Sequence, residues 1–122
     1  MKQEDIDLLF KDLCARLPYG VKVKFAGYSG REDCTLNVQH LSSTYNIEYL
    51  RMRPYLRPMS SMTEEEKLMY EGLMIGTDNV SYMLDVIDWL NKNMFDYRGL
   101  IEKGLAIEVT EDNNPYKVLL LK

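Results

Sequence analysis

The chain is poor in the residues that carry most metal and nucleophilic chemistry. It has one histidine, His40, and two cysteines, Cys14 and Cys34. A zinc site needs several Cys, His or carboxylate ligands converging at tetrahedral spacing, and no CxxC or HxxxH pattern occurs. Cys34 and His40 on one strand would share a face but lie about 20 Å apart, too far for a nucleophile and its base. Glycine and proline number only 7 and 4 of 122 residues, which excludes collagen-like and low-complexity chains. No apolar run approaches the roughly 20 residues that cross a bilayer. The acidic start MKQEDIDLLFKDL lacks a signal-peptide core. Two cysteines without a secretion signal read as reduced thiols of a cytoplasmic protein. No metal, cofactor or membrane is therefore expected.

What is present fits one packed domain over residues 1–122, with 46% hydrophobic and 28% charged residues. Residues 4–17 place Ile6, Leu9, Phe10, Leu13 and Leu17 at helical spacing, with acids in the first turn and Pro18 and Gly20 as stops. The pattern then changes to period two. Val21, Val23 and Phe25 alternate with Lys22 and Lys24, and Cys34, Leu36 and Val38 alternate with polar neighbours. The glycine-containing segment between these runs reads as a hairpin turn. It lacks the Lys-Ser/Thr and following helix of a phosphate cradle. A third alternating run covers Thr44 to Met52, and Pro54 and Pro58 mark the next stretch as an edge or crossover.

Thr63 with Glu66 forms a capping box before an apolar stripe of Leu68, Met69, Leu73 and Met74, with Gly76 as a C-cap. A further helix, about Ser81–Asn93, lines up Met83, Ile87, Leu90 and Met94. Residues 96–104 read as one more short helical turn ending at Gly104, and Leu105, Ile107 and Val109 as a last strand. Residues 116–121 pair with that strand or trail from it. Met69, Met74, Met83 and Met94, and both cysteines, are expected in the core. Glu64, Glu65 and Glu66 are explained by capping, and Asp85 and Asp88 by a solvated helix face. The fold expected is α+β: an antiparallel sheet of three to five strands with about three helices packed on one face.

Charge divides unevenly along the chain. Residues 16–57 carry seven Lys/Arg against Glu32, Asp33 and Glu48, whereas residues 58–122 carry six against twelve acids. Arg51, Arg53 and Arg57 are interleaved with Tyr49 and Tyr55, and Phe95, Tyr97 and Arg98 follow the third helix. Arg with Tyr suits phosphate contact, base stacking or a protein hot spot. Lys22 and Lys24 on a neighbouring strand would enlarge a positive patch. The competing expectation is that these arginines pair with the acidic helices inside the fold.

Two blocks, RPYLRPMSSMTEEEK (Arg53–Lys67) and IDWLNKNMFDYRGLIEKGLAIEV (Ile87–Val109), resemble a family of small, largely uncharacterised proteins encoded by phages and mobile elements of gut bacteria. They cover 38 of the 122 residues. The resemblance implies a small accessory protein acting on a host or phage machine. Members of that family carry two adjacent histidines where this chain has Asn93-Met94, so no metal or general-base role passes to these positions. The function expected is non-enzymatic: binding a host or phage protein, in one form antagonising a defence or nucleic-acid-binding machine. Its contact candidates are Arg51, Arg53, Tyr55, Arg57, Phe95, Tyr97 and Arg98. The alternative is a small nucleic-acid-binding or regulatory module using the same Arg/Tyr segment. The acidic sequence pI near 5.0 weighs against that alternative.

Overall fold

The computed structural model describes residues 2–25, 33–42, 47, 51–75 and 80–116. Helix α1 runs Gln3–Arg16, with Glu4 and Asp5 in its first turn. Leu17–Tyr19 tighten into a 3-10 turn that Gly20 closes at φ 73°. Strand β1 is Lys22–Phe25 and β2 is Cys34–Thr35. Strand β3 is Met52–Leu56, α2 is Glu64–Met74, α3 is Val80–Lys92 and β4 is Ile107–Glu108. Strand order is β2-β1-β3-β4, so the fold is α+β with a four-stranded sheet. β1 pairs antiparallel with β2 and β3.

β4 joins β3 in parallel, through Tyr55–Ile107 and Leu56–Glu108, so the sheet is mixed rather than wholly antiparallel. The two helices between β3 and β4 carry the chain back to the start of the sheet, which a hairpin could not do.

Proline 54 stands in a central strand, not at the expected edge. Backbone groups two residues apart on a strand point the same way. Leu56 C=O accepts from Val109 N–H at 2.8 Å, so Leu56 and Pro54 both turn toward β4. The β4 ladder begins only at Tyr55, so the missing proline N–H has no bond to make there. On the β1 side the ladder is completed by a side chain. The Tyr116 hydroxyl accepts from Lys22 N–H at 2.8 Å and donates to Tyr55 C=O at 2.9 Å. One phenol thus serves two backbone groups that burial would otherwise leave unpaired. Burial also pushes the Tyr116 hydroxyl pKa well above its ordinary value.

The core joins Leu9 and Leu13 of α1 to Val21, Val23, Phe25, Met52 and Leu56 of the sheet, with Ile47, Leu100 and Leu105. The second strand is shorter than expected. Val38–Leu41 turn into a 3-10 helix capped by Asn37, whose side-chain Oδ1 accepts from Gln39 and His40 N–H. His40 Nδ1 accepts in return from Asn37 N–H at 3.1 Å, so this histidine is a capping group rather than a strand-end residue. Of the expected strand Thr44–Met52, residues 44–46 and 48–50 lie outside the described residues, and Met52 opens β3. The proposed C-cap Gly76 and residues 117–121 also lie outside them. Cys14 is exposed, not in the core as expected, whereas Cys34 is half-buried and packs against the core.

Helix α3 ends in a Schellman arrangement. Phe95 N–H donates to Leu90 C=O and Met94 N–H to Asn91 C=O, with Met94 left-handed at φ 62°. Glycine usually takes this position. Here Met94 and Phe95 are both fully buried, and that packing holds the strained residue in place.

Candidate interaction surfaces

The capping box at the start of α2 forms as the sequence predicts. Thr63 Oγ1 accepts from Glu66 N–H, and the Glu66 carboxylate accepts from Thr63 N–H. The same carboxylate holds Arg57 by a two-point bond, Nη1 to Oε2 at 2.9 Å and Nη2 to Oε1 at 2.7 Å. Arg57 Cζ also lies over the Phe95 ring, 4.2 Å from its centre. Burial alone would raise the Glu66 carboxyl, but the bonds from Arg57 and Thr63 outweigh it and hold its pKa below the usual carboxylate value.

A second ionic cluster joins α1 to the segment after α3. Asp12 and Arg16 are both fully buried, one helical turn apart. Arg16 Nε and Nη2 reach the two Asp12 oxygens at 2.9 and 3.1 Å, and Nη2 also donates to Phe95 C=O at 2.7 Å. Arg98 Nη1 donates to Asp12 Oδ1 at 3.1 Å and to the Tyr97 hydroxyl at 2.8 Å. The Tyr97 hydroxyl passes the chain on to Asn91 Oδ1 of α3. Arg16 Nη1 is buried without a partner. One carboxylate therefore restrains two guanidinium groups, and three parts of the chain meet at it. Sequence reading missed this cluster because Asp12 and Arg16 resemble an ordinary surface pair at i, i+4. The available signal was position: both fall on the arc that carries Leu9 and Leu13.

The seven contact candidates divide accordingly. Arg57 and Phe95 are buried against Glu66 and one another, and Arg98 and Tyr97 are engaged with Asp12 and Asn91. Tyr55 is buried and its hydroxyl donates to Asp33 at 2.7 Å. Burial, followed by that bond and the charge of Asp33, raises its pKa. Arg51 is exposed and Arg53 half-buried.

Arg53 stands directly opposite Lys24 in the β1–β3 pair, so two cations share one spot on the sheet. Lys22, two residues from Lys24, faces the same side and donates to Thr35 Oγ1. Burial and the neighbouring Arg51 lower the Arg53 pKa. Among the described residues none of these four cations has a carboxylate within salt-bridge distance. Lys22, Lys24 and Arg53 thus share one face of the sheet, with Arg51 beside Arg53 just before β3 and Arg57 apart from them.

The largest departure from expectation lies in the helix pair. α2 and α3 pack through Tyr70, Leu73, Val86, Trp89 and Leu90, with Tyr70 stacked on Trp89 and Trp89 on Phe95. Beyond that seam much apolar surface faces water. Along the α3 stripe, exposure falls from 47% at Met83 through 37% at Ile87 to 4% at Leu90 and 0% at Met94. The domain covers only the C-terminal half of the stripe. Leu84 is also exposed, as are Leu68, Met69 and Ile75 of the α2 region, where no residue of α2 itself is buried. Met69, Met74 and Met83 are therefore surface residues, and only Met94 of the four methionines expected in the core lies there. Acids border this surface: Glu64, Glu65 and Glu71 on α2 and Asp85 and Asp88 on α3 are exposed.

Among the described residues no helix is long and apolar enough to cross a membrane, and no three His, Cys, Asp or Glu side chains converge as metal ligands. No family model, curated protein or solved structure matches the chain.

Proposed function

We propose that the chain is a non-enzymatic accessory protein of a phage or mobile element that works by binding a host or phage protein. The α2–α3 pair is its docking surface. The observation that carries this reading is the half-covered stripe of α3, on which Met83 and Ile87 continue a line that Leu90 and Met94 bury. Contiguous apolar surface of this kind marks interaction sites on soluble proteins. The bordering carboxylates select a partner whose apolar surface is rimmed by Lys or Arg, since such a rim speeds encounter and excludes acidic competitors. The resemblance of residues 53–67 and 87–109 to phage and mobile-element proteins supports the accessory role.

The test is a photo-crosslinking residue at Leu84, with a matched control at the exposed Glu102. In a bacterial host the Leu84 probe is expected to give a saturable adduct with one protein. The double variant D85K/D88K should abolish that adduct. Adducts that survive the charge reversal, or that form equally from position 102, refute the reading.

A second reading, a nucleic-acid-binding module, is favoured by one observation. The opposed Lys24–Arg53 pair, beside Arg51, is a like-charge contact with no neutralising carboxylate among the described residues, which a stable sheet gains nothing from. It predicts binding to single-stranded DNA or RNA that weakens steeply with salt and is lost in R51A/R53A. Absence of binding at low salt eliminates it.

A further inference from the structure

Glycine 72 sits inside α2, where this chain has no evident use for it. A Cβ built there meets nothing within 4 Å, and its φ is not in the left-handed range. Glycine is the poorest helix former after proline, so the isolated domain would be better served by alanine at this position.

The neighbours of Gly72 suggest why the backbone is bare. At about 100° per residue, Leu68, Gly72 and Ile75 fall within one narrow arc of the helix. Leu68 is 70% exposed and Ile75 85%. The opposite side of α2, through Glu66, Tyr70 and Leu73, faces Arg57 and α3. The outer arc therefore has two apolar side chains two turns apart with a gap between them. That is the layout of a seam into which a second helix can settle, its backbone drawn close where no Cβ intervenes. Glu64 and Glu71 lie along one border of the arc and Glu65 along the other. Lys67, which pairs with Glu64 at 3.6 Å, is the helix's one cation.

We propose that this outer arc of α2 seats a single α-helix of the partner protein, apolar on the facing side, flanked by Lys or Arg, and crossing over Gly72. The proposal rests on the reading of the helix pair as a docking surface and names the element that docks. A second copy of this chain is the poorer occupant. A two-fold contact centred on Gly72 would set Glu71 against its own counterpart, and the copy's helix would bring only Lys67 as a cation to the acidic borders.

The test uses two synthetic 21-residue helical peptides with identical Leu/Ala faces, one flanked by Lys and Arg and the other by Glu. Binding to the full chain is followed by fluorescence anisotropy at two salt concentrations. The cationic peptide is expected to bind at least tenfold more tightly than the acidic one, with a difference that shrinks at high salt. Gly72→Leu should weaken the cationic peptide at least tenfold, and Gly72→Ala less. Gly72→Ala should also raise the melting temperature by about 3 °C, a gain that a purely intramolecular role for Gly72 would forbid. Failure of both peptides to bind, equal binding of both, or indifference to Gly72→Leu overturns the proposal. So does a wild-type dimer that Gly72→Leu dissociates. Because Leu84 lies on α3, its crosslinking result stands apart from these, and the broader reading can survive loss of the helix seat.

Discussion

Truncating Asp12 should be among the most damaging single changes in this chain. The carboxylate is fully buried and accepts from Arg16 twice and from Arg98 once. Asp12→Ala leaves the Arg16 guanidinium in the interior with Phe95 C=O as its remaining hydrogen-bond acceptor and the Tyr97 ring 5.4 Å away, while Nη1 has no hydrogen-bond partner among the described residues. Removing one member of a buried ion pair costs about 3–5 kcal/mol, because the other charge stays desolvated. Arg98 is partly exposed and can turn to water, so it adds little. With a urea m-value of about 1.5 kcal/mol/M, the midpoint should fall by roughly 2–3 M. Removing both partners is expected to be milder. In D12L/R16M neither member of the pair remains as a buried charge, and the Phe95 carbonyl keeps its bond from Tyr97 N–H at 3.1 Å, so the residual cost there is about one hydrogen bond, roughly 0.5–1.5 kcal/mol. The cycle of D12L, R16M and D12L/R16M should therefore show a coupling of about 2 kcal/mol or more between positions 12 and 16. The assay is urea unfolding followed by Trp89 fluorescence, with unchanged m-values as the condition for comparison. A loss below about 1 kcal/mol for Asp12→Ala, or additive single changes, would refute the view that this pair is desolvated and interdependent.

Three further outcomes follow from other contacts. The Glu66 carboxyl has its pKa depressed by Arg57 and Thr63, so its contribution is complete above the unfolded value of about 4.3 and is lost as pH falls through the folded value. Glu66→Gln should accordingly flatten the stability–pH curve on the acid side of about pH 4.5, measured by denaturant unfolding at several pH values. Tyr116→Phe should cost about 1–3 kcal/mol by stripping Lys22 N–H and Tyr55 C=O of their shared partner. Hydrogen exchange at the Lys22 amide should accelerate, and an unchanged rate would contradict the bridging role. At Met94, glycine relieves about 1–2 kcal/mol of left-handed strain but forfeits a fully buried side chain that is worth about 2–5 kcal/mol. Met94→Gly should thus lower the melting temperature despite its better backbone.

The elements that sequence made legible were those whose periodicity and punctuation agree. α1 declares itself by Leu9 and Leu13 at helical spacing, and α2 by a Thr63–Glu66 box that forms as read. β1 follows from Val23 and Phe25 alternating with two lysines. Periodicity failed where it could not say what covers a face. The apolar positions of α2 and the early part of α3 look like core in a list of spacings, yet Leu68, Met69 and Met83 meet water because the sheet and α1 do not extend that far. The segment around Pro54 misled for another reason. A proline weakens a strand only on the side where its N–H would have bonded, and that side is vacant until the β4 ladder begins at Tyr55. The arginines were ambiguous from the start. Arg57 and Arg98 found carboxylates, whereas among the described residues Arg51 and Arg53 did not, and linear order holds no sign of which would do so.

The tyrosine hydroxyl between β1 and β3 also bears on the order of assembly. Its two backbone partners lie 94 and 61 residues upstream, and the Asp12–Arg98 bond spans 86. Contacts so distant along the chain make folding slow compared with a locally wired bundle of equal size. A ribosome that has just released β1 and β3 holds a sheet with its central seam still open, and the first helix carries a charge awaiting its clamp. Until the segment bearing Tyr116 emerges, the hydrophobic strands of the nascent polypeptide stay accessible to chaperones and to misassociation.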